Sequence, residues 1–402
     1  MAHATLKRRI GPGLLTAYGV GIMVGAGIYV LVGAAAGAAG MWAPLAFLLA
    51  GLVAVPSALA FSELSARIPE AAGDSSYVEV GLNLHWLAVL VGAINVIAGT
   101  VASAAVLRGG VGYLTSIVDV PFTWAVIGLG FAMTLIALVG VLESLVFAAV
   151  LTVIEVIGLI LVVGAGFAAE PVADWSLPLP RPEWIGIAGA TTFAFFAFIG
   201  FDDMVNMAEE AREPQRTMPR AILWALAITA VLYALVSLAA IRAVPRDVLA
   251  VTERPLALVW ESGTGRSAVF LSAIAVAAAL NGVLAQIVMA SRVLFGLGKR
   301  SPALAMFRRT SKRFGTPTLG TIAVGVVVIL SALTLPVATL AELTTQALLI
   351  VFAIVNISLI GVKRKQPEAP FRVPGYVPWL GLIACLVTFA ASLLSTVLGG
   401  SS

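Results

Sequence analysis

The sequence has few of the residues that build disulfide bonds and metal clusters. Its 402 residues include one cysteine, Cys385, and two histidines, His3 and His85. A single cysteine allows no intrachain disulfide and no cysteine metal cluster. Both histidines fall near the ends of apolar segments, where a solvated role is favoured over metal binding. We therefore expect no metal site and no cofactor in this protein.

Charge is scarce as well, and this scarcity indicates the class of protein. Only 11% of the residues are charged, 60% are hydrophobic, and the mean hydropathy is +1.06. Apolar runs of about 20 residues, each long enough to cross a bilayer as a helix, recur along the chain. The composition predicts an all-α polytopic membrane protein and excludes a soluble fold.

Long hydrophilic segments are also missing. The longest connections, 168–183, 243–265 and 298–318, are too short for an independent domain, so residues 1–402 are predicted to form a single transmembrane domain. The first apolar run follows a short basic N-terminus without a small-residue cleavage site, and we interpret it as a retained helix. Eleven spans are predicted, at about 14–38, 42–66, 84–117, 122–142, 144–168, 184–208, 220–242, 266–297, 319–335, 339–361 and 376–399.

Lysine and arginine collect in alternate connections between these spans. They are dense at 7–9, 212–220, 299–313 and 363–372, which all lie on one side of the membrane in an eleven-span arrangement. Because cytoplasmic loops carry the excess of these residues, we expect a multi-pass protein of the cell membrane with a cytoplasmic N-terminus. The same distribution explains the net charge of +4 without a nucleic acid partner.

The first span contains an unusual concentration of glycine. Gly19, Gly21, Gly25 and Gly27 lie within twelve residues, GVGIMVGAGIYV. Each glycine in a helix interior costs about 0.5–1 kcal/mol relative to alanine. Two interpretations are open at this point. The glycines form a close helix-crossing surface, or they mark a break where the backbone leaves the helix to bind a ligand.

The sixth span contains the second unusual segment. Gly200 falls in mid-span among phenylalanines, and Asp202 and Asp203 follow. An acid at membrane depth costs about 2.5–3.5 kcal/mol on insertion scales. For Asp203 we favour a cap at the membrane interface, whereas for Asp202 a cap and a ligand-facing role remain equally open.

The two unusual segments lie five spans apart. This relation is expected of two inverted-topology repeats whose first helices are broken at matching depths. We predict repeat one at about 14–168, repeat two at about 184–361, and an additional span at 376–399.

An ordered set of motifs resembles the amino acid–polyamine–organocation family of permeases. The segment AAVLRGGVGYL, which contains Arg108, resembles the cationic amino acid transporter branch of this family and its bacterial relatives. The motifs, in chain order, are GVGIMVGAGIYVLVG, ELSARIPEAAGDSSYVEVGL, FFAFIGFD with AEEAREPQRTMPRAI, VTERPLALVWESG, NGVLAQIVMASRVLFGLGKRSPALAMFRR and FRVPGYVPWLGL. The resemblance covers nearly the whole chain. It implies the leucine-transporter fold, with discontinuous spans one and six, and transport of an amino acid or amine by alternating access.

The same resemblance implies a set of substrate-binding residues. Backbone N–H groups of Gly25, Ala26 and Gly27 would receive the substrate carboxylate at a positive half-helix end. The remaining implied positions are carbonyls of Phe196, Ala197 and Ile199 for the amino group, and Phe201 as an aromatic gate. Apart from the resemblance, Val24 indicates an apolar lining, and Asp202 favours a cationic substrate. Backbone dipoles of both signs would thus bind the part common to all amino acids.

Glu155 departs from the family pattern. Proton-coupled relatives carry a lysine at the matching place in span five, and here the charge is inverted within LTVIEVIGLILVVG. An ionisable residue near the membrane centre favours a function over a solvated face. Three functions are open, namely a proton carrier, a sodium ligand, or a partner for a cationic substrate group. A protonated carboxyl bonded to a neighbouring helix is the structural alternative. We prefer proton coupling, because burial among alkyl side chains favours the neutral form.

Other classes of protein fit less well. A membrane-embedded, magnesium-dependent prenyltransferase needs two facing acidic clusters, and the sequence offers one, DDMVNMAEE. A channel would show a repeated selectivity-filter loop, and none is visible. We therefore expect a secondary transporter and no enzyme.

Overall fold

The computed structural model describes residues 10–68, 73–139, 145–173, 175, 180–208, 210–311 and 313–399. Fourteen α-helices account for most of these residues, and no strand runs through them. The helices are α1 (Pro12–Ala39), α2 (Ala43–Arg67), α3 (Gly73–Leu82), α4 (His85–Leu114), α5 (Phe122–Val139), α6 (Leu145–Ala168), α7 (Trp184–Phe198), α8 (Pro214–Ala243), α9 (Arg246–Val251), α10 (Pro255–Thr264), α11 (Val269–Arg300), α12 (Thr318–Thr334), α13 (Val337–Lys365) and α14 (Val377–Gly399). The protein is therefore an all-α polytopic membrane protein, as predicted.

The eleven predicted spans coincide with eleven of these helices, although nine stretches of the described chain are long and apolar enough to cross a membrane. Two features account for the difference. Gly27–Arg67 runs through the second half of α1 and all of α2 as one stretch. α12 has 17 residues and, like Pro12–Gly25, counts as a shorter apolar helix. The join predicted at 140–143 lies outside the described residues.

Apolar side chains occupy both the interior and the outer surface of the bundle. Aromatic side chains from four helices, including Tyr29, Phe47, Phe195 and Phe352, are buried between the spans. Large apolar side chains such as Leu52, Trp124 and Val231 are exposed. A water-soluble protein would not expose so many, but side chains facing lipid tails carry no such penalty.

A buried charge network joins the C-terminal ends of α2 and α13. Glu63, fully buried, accepts hydrogen bonds from Arg67, from Lys363 Nζ at 2.7 Å and from the Val373 N–H at 2.8 Å. Arg67 also donates to the carbonyls of Gln366 and Glu368. A buried charge is stable only when it is paired and hydrogen-bonded, and both oxygens of Glu63 meet that condition.

Arg108 of α4 contacts residues of other helices. Its guanidinium donates to the Ala332 carbonyl at 2.8 Å and lies 4.9 Å from the centroid of the Phe122 ring. Glu253 lies 4.0 Å away. These contacts tie α4 to α5 and to the end of α12.

Candidate functional site

Helix α1 is broken at Gly25. The backbone there has φ −22° and ψ −140°, whereas the residues on both sides are helical. A Cβ at this buried position would meet no atom within 4 Å. Gly25 therefore borders open space inside the protein.

A second break follows α7. The helix ends at Phe198, Ile199 is extended, and Gly200 has φ +129°, a conformation that residues with a Cβ rarely adopt. A Cβ at Gly200 would also overlap the side chain of Ile22 in α1. The Gly200 N–H donates to Asp202 Oδ1 at 2.9 Å, and a helical turn resumes at Asp203–Met207. The interruption predicted in this span is thus present, and it lies against α1.

The two breaks are held together by Tyr233 of α8. Its hydroxyl lies within hydrogen-bond distance of two carbonyls, which share its one proton: that of Met23, two residues before the break in α1, and that of Ala197 at 3.0 Å. Next to this link, a Cβ at Gly27 would lie 2.9 Å from the Ala197 Cα. The glycines therefore have two roles that the sequence could not separate, because Gly25 borders open space whereas Gly27 permits close packing.

Replacing Tyr233 with phenylalanine is expected to destabilise the protein and to weaken ligand binding. The change removes the one proton that these two buried carbonyls share, and leaving a buried acceptor unsatisfied costs about 1–3 kcal/mol. Thermal unfolding with and without ligand measures both effects. Tyr376→Phe, at an exposed tyrosine, is the matched control. An unchanged unfolding temperature in Tyr233→Phe would contradict this link.

The structure places the predicted substrate residues in two groups. Ile199 and Asp202 line a cavity, described below. Val24, Gly25, Gly27, Phe196 and Ala197 are buried along the contact between α1 and α7. The side chain of Ala26 lies outside the described part of the chain.

Phe201 is buried in an aromatic cluster with side chains of α2 and α13. Its ring centroid is 5.8 Å from that of Phe61 and 5.2 Å from that of Phe352. The ring has no exposed surface. Its role as a gate stays a prediction.

Glu155 of α6 faces the break in α1. One turn before it, Thr152 contacts Gly21, and one turn after it, Gly158 lies beside the Tyr29 hydroxyl. These contacts bracket Gly25, so Glu155 is at the level of the break. The side chain is only 3% exposed, and its Oε2 has no hydrogen-bond partner among the described residues.

A cavity of about 230 Å³ opens between α3, α4, α11, α13 and the segment after α7. We call it the acidic cavity, because Asp74, Asp202 and Asp203 line it. Asn95 and Gln286 complete the polar part of its wall. Asn95 Nδ2 donates to Asp74 Oδ2, and Gln286 Nε2 donates to Asp203 Oδ2 at 3.3 Å. Within the described residues, no group of three or more His, Cys, Asp or Glu side chains could hold a metal ion.

Asp203, which we expected to act as a cap at the membrane interface, begins the turn Asp203–Met207, and its Oδ2 accepts a hydrogen bond from Gln286 of α11. Its interfacial position stays a prediction. Sequence reasoning also missed Asp74, which sits in the first turn of α3 and not in a span. The signal available for Asn95 and Gln286 was their polarity within spans α4 and α11, but polarity alone does not tell which partner they meet.

Comparison with known proteins gives consistent matches over nearly the whole chain. Residues 14–402 match the family described as amino acid permease. The branched-chain amino acid permease BcaP of Bacillus subtilis is 25% identical over 95% of this chain and 87% of its own length. The methylthioribose transporter of the same organism is 30% identical over 85% of this chain and 78% of its length. The mitochondrial cationic amino acid transporter 3 of Arabidopsis thaliana is 30% identical over 82% of this chain and 58% of its length.

Proposed function

Because the chain belongs to the amino acid permease family, we propose that it is a secondary active transporter that moves amino acids across the membrane by alternating access. The family consists of transporters, so the alternative of a membrane-embedded prenyltransferase is wrong. The observation that carries the proposal is the pair of helix breaks, at Gly25 and Gly200, joined through Tyr233.

In this proposal the substrate backbone binds between the breaks. The second half of α1 begins beside Gly25, and the N–H groups of its first turn and its positive helix end would receive a carboxylate. The end of α7 offers carbonyls near Phe196, Ala197 and Ile199, which suit an ammonium group. The open space at Gly25 supports this placement, since a ligand needs room where the backbone is exposed.

The proposed architecture is the leucine-transporter fold with two inverted repeats of five spans. Under this assignment α1 and α7 are corresponding helices, and the matching position of their breaks supports it. The excess of lysine and arginine in alternate connections supports a cytoplasmic N-terminus in the plasma membrane.

For energy coupling we propose a proton on Glu155. The carboxyl is buried at the level of the break in α1, so a change in its charge acts directly on the helix that holds the substrate. Sodium coupling, or exchange of cationic amino acids or polyamines, is the second candidate, since an oxygen without a protein partner also suits a cation.

The relatives suggest the first substrates to test. Their names cover branched-chain amino acids, cationic amino acids and methylthioribose. Purified protein is screened for thermal stabilisation by the amino acids, common amines and methylthioribose at pH 6 and pH 8. A ligand at 100 times its Kd stabilises by about 2.7 kcal/mol. Each stabilising compound is then tested for counterflow in proteoliposomes.

We expect at least one amino acid both to raise the unfolding temperature of the purified protein and to show counterflow in proteoliposomes. Counterflow of methylthioribose alone, with no response to any amino acid, would overturn the proposed substrate class. Empty liposomes provide the baseline for leakage.

A further inference from the structure

We propose that the acidic cavity, which adjoins the second helix break through Ile199 and Asp202, is a second binding site and that it binds a primary alkylammonium group. The inference rests on the proposed transport function in treating the cavity as part of the substrate pathway. It concerns residues that the break-centred site does not use, namely Asp74, Asn95, Asp203 and Gln286.

The charges of the cavity are separated along its depth. The carboxyls of Asp74 and Asp202 are 7% and 9% exposed, so they lie deep in the protein. The basic residues of the wall, Arg292 and Arg300, are both exposed. On α11 they follow Gln286 by six and fourteen residues, or about 9 and 21 Å at 1.5 Å per residue. The floor is therefore acidic and the mouth basic.

Three oxygen atoms of the floor have no hydrogen-bond partner among the described residues. They are Asp74 Oδ1, Asn95 Oδ1 and Gln286 Oε1, and all three are buried. The amide nitrogens of Asn95 and Gln286 already donate to Asp74 and Asp203, so the free atoms are acceptors. An alkylammonium group has three N–H donors, which can bond to these acceptor oxygens, and a positive charge, which complements the carboxylates of the floor.

The other part of the wall is apolar and points to an organic ligand. It is formed by Ala98, Ala102, Ile199, Met289, Val293 and Leu348. The cavity of about 230 Å³ is also much larger than the roughly 30 Å³ of one water molecule. An alkyl chain fills this space and replaces water along the apolar wall, whereas a bare inorganic cation does not.

The charge of the floor depends on pH. Burial, and after it the nearby charge of Asp202, raise the pKa of Asp74 to about 7 against the lowering effect of the hydrogen bond from Asn95. Asp203 and Arg292 face the same cavity, and Arg300 pairs with Glu79, which also contacts His85. A bound cation favours the ionised carboxylate. Below pH 7 binding must first displace a proton, so affinity rises with pH.

The test uses cadaverine, a diamine without the carboxylate that the helix breaks would bind. Isothermal titration calorimetry on the purified full chain, in choline chloride at pH 6 and pH 8, measures its affinity. We expect tighter binding at pH 8, and at least a tenfold loss in both Asp74→Asn and Asp203→Asn. Ethylenediamine, with a shorter chain, should bind more weakly than cadaverine.

Two controls make the result specific. Asp119→Asn changes an exposed aspartate outside the cavity and should keep wild-type affinity. His85→Gln should keep the pH dependence, which assigns it to the cavity floor. Size-exclusion profiles identify any variant that fails to fold, and at least one of the two cavity variants must fold for the comparison.

Several results would overturn the inference. They are an absence of cadaverine binding, an equal affinity in a folded Asp74→Asn or Asp203→Asn variant, and displacement of cadaverine by sodium at matched ionic strength, which would indicate an inorganic cation site. Amino acid counterflow on the same samples tests the proposed function separately. Counterflow without cadaverine binding rejects only this inference, whereas cadaverine binding without any amino acid response rejects only the proposed function.

Discussion

Replacing Glu155 with glutamine is expected to abolish uphill amino acid uptake driven by a pH gradient, while exchange down a substrate gradient continues. Glutamine keeps the size of the side chain but carries no titratable proton. Glutamine therefore imitates the neutral form of Glu155. Glu155 is 3% exposed and faces the break in α1, so fixing it in the neutral form acts next to the proposed substrate site. Each pH unit supplies about 1.36 kcal/mol per proton, enough for about a tenfold gradient. A difference of two pH units should therefore give about hundredfold accumulation in the wild type and none in the variant.

The measurement is uptake and counterflow in the same proteoliposomes. Glu342→Gln is the matched control, because Glu342 is also a carboxyl within a span but its Oε1 accepts hydrogen bonds from Gln346 and Ser392. We expect that control to retain pH-driven uptake. Accumulation by Glu155→Gln that still follows the pH gradient would exclude this residue as the proton carrier. Loss of binding and exchange together would instead make Glu155 a partner of the substrate.

A valine at Gly25 is expected to abolish substrate binding without unfolding the protein. A Cβ there points into open space with no atom within 4 Å, and two further methyl groups would occupy the room proposed for the substrate. At Gly27 even alanine has a different effect, because its Cβ would lie 2.9 Å from the Ala197 Cα. Crowding of this kind costs about 1–3 kcal/mol. Gly27→Ala should therefore lower the unfolding temperature.

Thermal unfolding and ligand-induced stabilisation separate these two effects. Gly128→Val is the matched control, since Gly128 is an exposed glycine of α5 whose Cβ would also meet no atom within 4 Å. It should change neither measurement. Wild-type affinity in Gly25→Val would mean that the space at the break is not the substrate site, and an unchanged unfolding temperature in Gly27→Ala would contradict the close packing of α1 on α7.

Most of the fold could be predicted because a bilayer restricts what a chain can do. Backbone groups in lipid must be satisfied within the segment, so each long apolar run becomes a helix. Every predicted span coincides with a helix. The break at Gly200 was predictable too, since a glycine and two aspartates in mid-span fit a regular helix poorly. At Gly25 and Gly27 the sequence did not tell which glycine packs against α7 and which borders open space.

The candidate site was predictable only in part. The residues proposed around the breaks came from their order in the chain and from motifs that resemble a known family. The motifs assign no role to Asp74, Asn95 and Gln286, because each is an ordinary polar residue until its neighbours are known. The structure brings them together from α3, α4 and α11. The hydrogen bond between Asp203 and Gln286 was not predictable for the same reason, since the two residues come from different segments of the chain.

The sequence by itself determined that this is a helical membrane protein, where its apolar helices lie, and that the first and sixth predicted spans carry glycines at matching places. These properties depend on hydropathy and backbone preference, which are local. Only the tertiary structure decided that Gly25 borders open space, that Tyr233 joins the two breaks, and that an acidic cavity lies beside them. The reason is physical. Which side chains meet depends on the rotation and tilt of packed helices, and these are set by contacts between segments distant in the chain.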